Sequence, residues 1–203
     1  MAITGAADID GAFTGLSTLS ISGASYIGAD ITTSGTQTYA GAVTLSGGDR
    51  TLTGSTLTTQ STLDGGNHAL TLTGNADIGG AVTALTTLSV SGTSNIGANV
   101  TTSGTQTYVG AVTLSGGDRT LTASTVNTQS TLAGGNNALT ITGAADIDGA
   151  LSGLTALSIT GASNIGADIT TTGTQTYAGA VTLSGGDRTL TGSTIHTQST
   201  LAG

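Results

Sequence analysis

Few side chains in this sequence could do chemistry, and most of those that could recur at fixed positions. All 11 acidic residues are Asp, all three basic residues are Arg, and there are two His and no Cys. The segment Gly-Gly-Asp-Arg occurs three times and contains the pairs Asp49-Arg50, Asp118-Arg119 and Asp187-Arg188. A guanidinium on a Gly-rich loop is suited to holding a carboxylate or another anion. The alternative is a solvated corner with a local ion pair, which contributes less than about 1 kcal/mol.

The two His do not repeat. His68 occupies the position that Asn137 has in the next unit, and His196 occupies the position of Thr58 and Asn127. A metal centre or catalytic site that belonged to the unit would keep its ligands in each copy. Both His are therefore interpreted as surface residues without a shared role.

Asp8, Asp77 and Asp146 do share one position, and Ca²⁺ prefers such carboxylate oxygens. However, the Gly-Gly-x-Gly-x-Asp repeat of calcium-binding β-rolls is absent, and so is Glu. No Ser-His-Asp set, pair of catalytic carboxylates or phosphate-binding loop recurs in the repeated unit. We therefore predict no catalytic residue, no metal ligand, no cofactor and no enzymatic activity.

One Tyr marks the same place in each unit, shortly before a strand-like sequence of the type Ala-Val-Thr-Leu-Ser-Gly. An aromatic ring there either stacks on a ligand from an exposed loop or covers the core at the base of a loop. The loops on the two sides of this strand contain the Tyr and the Asp-Arg pair, and they are longer than the other corners. They are the predicted sites of lateral contact with a partner, through Tyr39, Asp49, Arg50, Tyr108, Asp118, Arg119, Tyr177, Asp187 and Arg188.

These residues belong to a 69-residue unit that is repeated along the whole chain. The Tyr residues of the set recur at one constant interval, and the sequence that begins at Ile3 returns at Leu72 and at Ile141. The repeats cover residues 3–71, 72–140 and 141–203, the last one truncated, and we predict a single solenoid over 1–203. A unit of this kind buries its apolar face only against its neighbours.

Composition and charge exclude several classes of protein. Of the 203 residues, 34 are Gly and none is Pro, and charged residues make up 7% where about 25% is usual. The helix formers Glu and Lys are absent while Ser and Thr abound, which disfavours helix. A net charge of −8 with three cations excludes the basic patch that nucleic-acid binding needs. No apolar run reaches the ~20 residues of a membrane span.

Apolar residues alternate with Ser or Thr three times in each unit, which indicates strands with one apolar face. In the middle unit the patterns begin at Leu70, Leu88 and Val112, and the next begins at Leu139, so the intervals between them are unequal. Short strands with Gly corners predict an all-β fold, a right-handed parallel β-helix (β-solenoid) with about three coils per repeat. Nine coils would form a rod about 43 Å long. The alternative division has four coils of about 17 residues per repeat.

The Ser and Thr residues of these strands are predicted to form two parallel hydroxyl rows on one outer side. Such residues suit the outer face of any strand, but a flat array of Thr also suits binding to ice. Ser replaces Thr at many of the positions, which disturbs a regular array of methyl groups. The predicted rows contain Thr4, Ser20, Ser22, Thr44, Ser46, Thr71, Thr73, Ser89, Ser91, Thr113, Ser115, Thr140, Thr142, Ser158, Thr160, Thr182 and Ser184.

The segments ALTITGAADIDGALSGL, LSVSGTSNIGANVTTSGTQTY and GAVTLSGGDRTLTGST resemble repeat regions of filamentous-haemagglutinin-like bacterial surface proteins. The resemblance covers essentially the whole chain. It implies secretion, often by a two-partner route, and a right-handed β-helical shaft that holds adhesive or toxic end domains away from the cell. An extracellular or bacterial cell-surface location follows from the same resemblance.

We therefore expect a structural role, as the rigid shaft or spacer of a large secreted or surface-anchored adhesin. A self-assembling extracellular filament subunit that stacks end to end is the alternative, and a ligand-binding solenoid for ice, glycan or Ca²⁺ ranks third. The expected partners are adjacent repeats or other copies of the chain, and a host or neighbouring-cell surface. Neither nucleic acid nor a membrane span is expected.

Overall fold

The computed structural model describes residues 1–203, which form 25 β-strands and no helix. Most strands are short, and in each the first and third side chains point inward while the middle one points outward, as in Leu19–Ile21. The strands are β1 (Ala2–Ile3), β2 (Ala7–Ile9), β3 (Phe13–Leu16), β4 (Leu19–Ile21), β5 (Ser25–Ile27), β6 (Ile31–Thr33), β7 (Gln37–Tyr39), β8 (Val43–Leu45), β9 (Arg50–Thr59), β10 (Leu63–Ile78), β11 (Val82–Val90), β12 (Ser94–Ile96), β13 (Val100–Thr102), β14 (Gln106–Tyr108), β15 (Val112–Leu114), β16 (Arg119–Thr128), β17 (Leu132–Ile147), β18 (Leu151–Ile159), β19 (Ser163–Ile165), β20 (Ile169–Thr171), β21 (Thr174–Tyr177), β22 (Val181–Leu183), β23 (Leu190–Thr191), β24 (Thr194–Thr197) and β25 (Leu201–Ala202).

Every strand between the first and last turns pairs in parallel with the strands of the turns above and below it, so the chain winds into a β-solenoid of about 11 turns. The prediction of an all-β parallel solenoid is confirmed. The turns differ slightly in length. Ile21 pairs with Tyr39 in the next turn, whereas Ile31 pairs with Leu52, so the turn that starts at Ile31 is the longer of the two.

Each turn has three sides, and the stacked strands form three faces that run the length of the rod. Face 1 begins with β1 and β4, face 2 with β2 and β5, and face 3 with β3 and β6. At about 4.8 Å per turn the 11 turns span about 53 Å.

One repeat makes three and two-thirds turns, so equivalent residues of successive repeats lie on different faces. Tyr39 pairs with Ile21 on face 1, Tyr108 pairs with Val90 on face 3, and Tyr177 pairs with Ile159 on face 2. Three consecutive repeats therefore complete 11 whole turns and return to the starting face. The predicted division into about nine coils, three per repeat, is replaced by about 11 turns, and the alternative of four short coils per repeat does not occur either.

Apolar patterns underestimate the number of turns because several strands carry a polar residue inside. Strands β12, β13 and β14 each bury one polar side chain beside an apolar one, namely Ser94, Thr102 and Gln106. A search for alternating apolar residues does not detect such strands. Two adjacent turns therefore look in the sequence like one longer coil with loops.

The interior is one continuous core of 41 buried apolar residues that extends from Ala7 to Val181. Gly stands where the backbone of one turn rests directly on the next. A Cβ at Gly92 would lie 2.6 Å from the carbonyl carbon of Gly74, one turn below. With no helix present, the structure contains no helix that is long and apolar enough to cross a membrane.

Candidate functional site

A buried polar cluster surrounds each Tyr of the repeat. Gln37 and Tyr39 are the first and third residues of β7, so both side chains point inward, and both are fully buried. The Tyr39 hydroxyl donates to Oε1 of Gln37 at 2.7 Å. Nε2 of Gln37 donates to the carbonyl oxygens of Thr53, at 2.8 Å, and Ile31, at 3.3 Å. The amide therefore joins its own turn to the backbone of the turn above.

The same cluster recurs at Gln106 with Tyr108, at 3.1 Å, and at Gln175 with Tyr177, at 2.8 Å. Burial raises the pKa of each Tyr hydroxyl above its ordinary value of 10.0, so the hydroxyl stays protonated and remains a donor. Their burial corrects the prediction that Tyr39, Tyr108 and Tyr177 take part in lateral contact. The alternative, in which these rings belong to the core, is confirmed.

The Asp-Arg corners are held by backbone hydrogen bonds. Nε of Arg50 donates to the carbonyl oxygen of Ser46 at 3.1 Å, and Nη1 donates to that of Asp49 at 3.0 Å. The Asp49 carboxylate instead accepts from the backbone N–H of Ala69, in the turn above, at 2.8 Å. Each charged group thus bonds to backbone, and the local ion pair suggested by the sequence is not the interaction that shapes this corner.

The three corners point in three directions around the rod. Asp49 and Arg50 lie between faces 2 and 3, because the flanking strands pair with β5 and β6. The next two corners, at Asp118-Arg119 and Asp187-Arg188, lie between faces 1 and 2 and between faces 3 and 1. All three Asp are exposed and all three Arg are half-buried. The Asp and Arg of the predicted contact set are therefore accessible, one pair on each edge.

Other Asp residues of the repeat also serve as acceptors for the next turn. Oδ1 of Asp30 accepts from the backbone N–H of Thr51 at 2.9 Å, and Asp168 accepts from Thr189 at 2.9 Å. Asn99 holds this position in the middle repeat and makes the same bond through its amide oxygen. Because an amide replaces the carboxylate there, the position requires an acceptor and does not require a charge.

The outward Ser and Thr residues do not form two rows on one side. Thr44 lies on face 2 and the equivalent Thr113 on face 1, because each repeat advances by two-thirds of a turn beyond three. Thr71, from another position of the unit, lies on face 3. Several hydroxyls instead bond across turns, as when Ser91 accepts from the N–H of Gly74 at 3.0 Å. The outward column of face 1 is mixed and contains Ser20, Thr38, Thr58, Asp77, Asn95, Thr113 and Ala133 in successive turns.

Carboxylates and amides stack in pairs on the outside of the solenoid. Nδ2 of Asn95 donates to Asp77 at 2.8 Å, and Nδ2 of Asn164 donates to Asp146 at 2.8 Å. No group of three or more His and Asp side chains lies close enough to hold one ion. Tyr26, which takes the Asn position in the first repeat, is 52% exposed.

One enclosed cavity of about 20 Å³ lies in the core beside Tyr39. Nine of its ten lining residues are apolar, and Thr59 is the exception. A buried water needs two to four polar partners, so this space is suited to an apolar group of the protein itself.

Sequence reasoning missed the buried Gln of the repeat. Gln37 and Tyr39 are two residues apart on one strand, so their side chains point to the same face. A strand that places the ring inside therefore also places the amide inside. That signal is present in the sequence, but a buried Gln is uncommon enough that the pattern favours a loop.

The fold and these contacts define a β-solenoid whose repeated polar side chains mostly bond to its own backbone. No family model, curated protein or solved structure matches this chain.

Proposed function

We propose that this chain is a rigid shaft or spacer segment of a large secreted or surface-anchored bacterial adhesin. The observation that carries the proposal is the uninterrupted column of about 11 stacked turns around one core. Parallel ladders on three faces resist bending in every direction, because no face lacks strand pairing. The resemblance to filamentous-haemagglutinin-like repeats supports an extracellular or cell-surface location.

The polar residues of the repeat support the same role. The buried Gln, the Arg guanidinium groups and the Asp acceptors each bind backbone of their own or the adjacent turn, and each Tyr hydroxyl donates to the Gln side chain. These bonds fix the spacing and register of turns, which is what a spacer requires. The exposed Asp and half-buried Arg of the three edges remain the proposed places for contact with a host or neighbouring-cell surface.

A length series tests the proposal. Chains of three, six and nine repeats should appear in electron micrographs as straight rods that lengthen by about 18 Å per repeat, from three and two-thirds turns of about 4.8 Å. Surface labelling of cells that carry the parent gene should detect the segment from outside. Compact particles whose length does not grow with repeat number would reject the shaft, and a segment reachable only after lysis would reject the location.

A second candidate is a self-assembling filament subunit, and the apolar residues of the last turn favour it. Ile195 is 37% exposed and Leu201 is 52% exposed, although they occupy inward positions of the solenoid. The equivalent Val126 and Leu132 are buried beneath the following turn. A further turn, from the same chain or from another copy, would bury Ile195 and Leu201. Light scattering over a concentration series tests this candidate, because a chain that remains monomeric throughout does not assemble.

A further inference from the structure

We propose that the last turn of one copy pairs with the first turn of the next in one fixed register, without rotation about the rod axis. The inference rests on the second candidate function, head-to-tail assembly. It adds which residues meet, which faces align, and a single-residue substitution that separates assembly from folding.

The register comes from contacts between repeats inside the chain. Leu121 pairs with Ile141 and Val126 with Ala145, where β16 meets β17. One repeat earlier the same positions pair in the same way, Leu52 with Leu72 and Leu57 with Ala76. The register is therefore a property of the repeat sequence.

The first turn has the sequence that would follow the last turn in this series. Residues 3–12 read ITGAADIDGA, which is also the sequence of residues 141–150. Each internal pair has a counterpart one repeat further along the series. In that counterpart the lower residue belongs to the last turn of one copy, and the upper residue belongs to the first turn of the next copy. The junction pairs, with the next copy second, are Leu190 with Ile3, Thr191 with Thr4, Ile195 with Ala7, His196 with Asp8, Thr197 with Ile9 and Leu201 with Phe13.

The faces of the two ends match without rotation. Leu190 pairs with Ile169 on face 1, the face that begins with Ile3. Likewise, β24 lies on face 2 with β2, and β25 lies on face 3 with β3. Because three repeats make 11 whole turns, translation by about 53 Å superposes one copy on the next. The two chain ends then meet at one corner, at the place that residues 135–138 of β17 occupy between consecutive repeats.

The junction also places an imidazole beside a carboxylate. Inside the chain, Nδ2 of Asn127 lies 3.4 Å from Oδ2 of Asp146. His196 and Asp8 hold the equivalent positions, so at the junction the imidazole faces a carboxylate of the next copy. The strand below places Thr176 against His196, and Thr194 and Gln198 flank it along its own turn, so Asp8 is the charged group that faces it. The imidazole can donate a hydrogen bond to this carboxylate, as the amide of Asn127 does inside the chain.

A substitution at Gly11 should prevent assembly without affecting folding. A Cβ at Gly11 has no atom within 4 Å in the isolated chain, whereas one at the equivalent Gly149 would overlap the backbone of Ser130 in the turn below. At the junction, Ser199 of the preceding copy takes the place of Ser130. Gly11→Ala should therefore fold with an unchanged Tm and fail to stack.

The test measures sedimentation and light scattering of the 203-residue chain over a concentration series. The wild type should form open-ended assemblies, because head-to-tail contacts do not close. Gly11→Ala should remain at the monomer mass of 19.3 kDa. His196→Asn, which restores the amide of the internal pair, should keep assembly, whereas His196→Ala should weaken it several-fold.

Disulfide cross-linking between introduced Cys residues tests the register directly, because the chain has no Cys of its own. Thr4→Cys with Thr191→Cys places partners opposite each other, within the Cα separation of a disulfide. Thr4→Cys with Thr189→Cys is the control that is out of register. A ladder of covalent oligomers should form with the first pair and not with the second.

The outcomes distinguish the two ideas. Wild-type monomers at every concentration would overturn the filament candidate and this junction together. Assembly that survives Gly11→Ala, or that cross-links only out of register, would overturn the junction and leave the filament candidate standing. Assembly that His196→Ala leaves equally strong would overturn the pairing of His196 with Asp8.

Discussion

Tyr39 donates its hydroxyl hydrogen to Oε1 of Gln37, two residues earlier on the same strand, over 2.7 Å. Both side chains are fully buried, so neither group can exchange its partner for water. Because Gln37 also bonds the backbone of Thr53 in the next turn, the pair links adjacent turns as well as filling space. A shift in the pairing of turns would leave several buried polar atoms without partners.

Replacing the amide of this cluster should destabilise the rod. Gln106→Leu removes the acceptor of the Tyr108 hydroxyl and the donor to the Thr122 carbonyl oxygen. Each orphaned buried group costs about 1–3 kcal/mol, so we expect a loss of about 2–5 kcal/mol in the free energy of unfolding. Urea denaturation followed by circular dichroism measures it.

The double variant Gln106→Leu with Tyr108→Phe is the matched control. It removes the Tyr hydroxyl together with its acceptor, so it should lose less free energy than the two single variants do in sum. Strict additivity would show that the Gln–Tyr bond does not couple the two residues.

The rod should lose stability in alkaline solution. Burial raises the pKa of Tyr39, Tyr108 and Tyr177 in the folded state above the unfolded value of 10.0. Their contribution is complete below pH 10 and is lost as the pH rises beyond it, because the unfolded chain then releases protons that the folded chain retains. Each Tyr contributes about 1.4 kcal/mol per pH unit in that range.

Unfolding free energies between pH 8 and pH 11.5 check this slope. Tyr108→Phe should reduce it by about a third, because one of three buried hydroxyls is gone. Tyr26→Phe, at an exposed ring, should leave it unchanged. An alkaline slope that does not respond to Tyr108→Phe would contradict the assignment.

Ala84 is strained, and glycine should relieve it. Its φ is 54°, in the left-handed region, whereas the equivalent Gly15 and Gly153 have φ of 72° and 66°. Ala84 is exposed, so Ala84→Gly sacrifices little burial and should stabilise the chain by about 0.5–1 kcal/mol.

The reciprocal change is the control. A Cβ at Gly153 would meet its nearest atoms at 3.6 and 3.7 Å, ordinary contact distances, so Gly153→Ala tests the backbone conformation alone. It should destabilise the chain by about 1 kcal/mol. Thermal melts that move both variants in the same direction would rule out backbone strain as the cause.

The cavity beside Tyr39 should accept one more carbon. Val82 lines it, and the equivalent position in the next repeat is Leu151. Val82→Leu should fill the space and stabilise the chain by about 0.5–1 kcal/mol. Leu151→Val, which opens a comparable space, should cost about 0.5–1.5 kcal/mol. The difference in urea midpoint between these variants is the measurement.

The parallel solenoid could be predicted from sequence because alternating apolar residues and regular Gly corners are local signals. The number of turns could not, since inward polar residues such as Ser94 and Gln106 hide strands from any apolar pattern. The placement of Tyr39 depends on that number, because a three-coil repeat leaves its strand outside the ladder as a loop. The hydrogen bond of Asp49 also could not be predicted from the local sequence, because its partner Ala69 lies in the next turn.

Because one repeat makes three and two-thirds turns, a change in repeat number alters angle as well as length. Loss or gain of a single repeat by recombination would turn everything beyond it by a third of a revolution. Any feature carried at the far end would then point elsewhere, although every contact within the rod stayed the same. Only changes in multiples of three units preserve direction, so length variants of such a rod fall into three orientation classes.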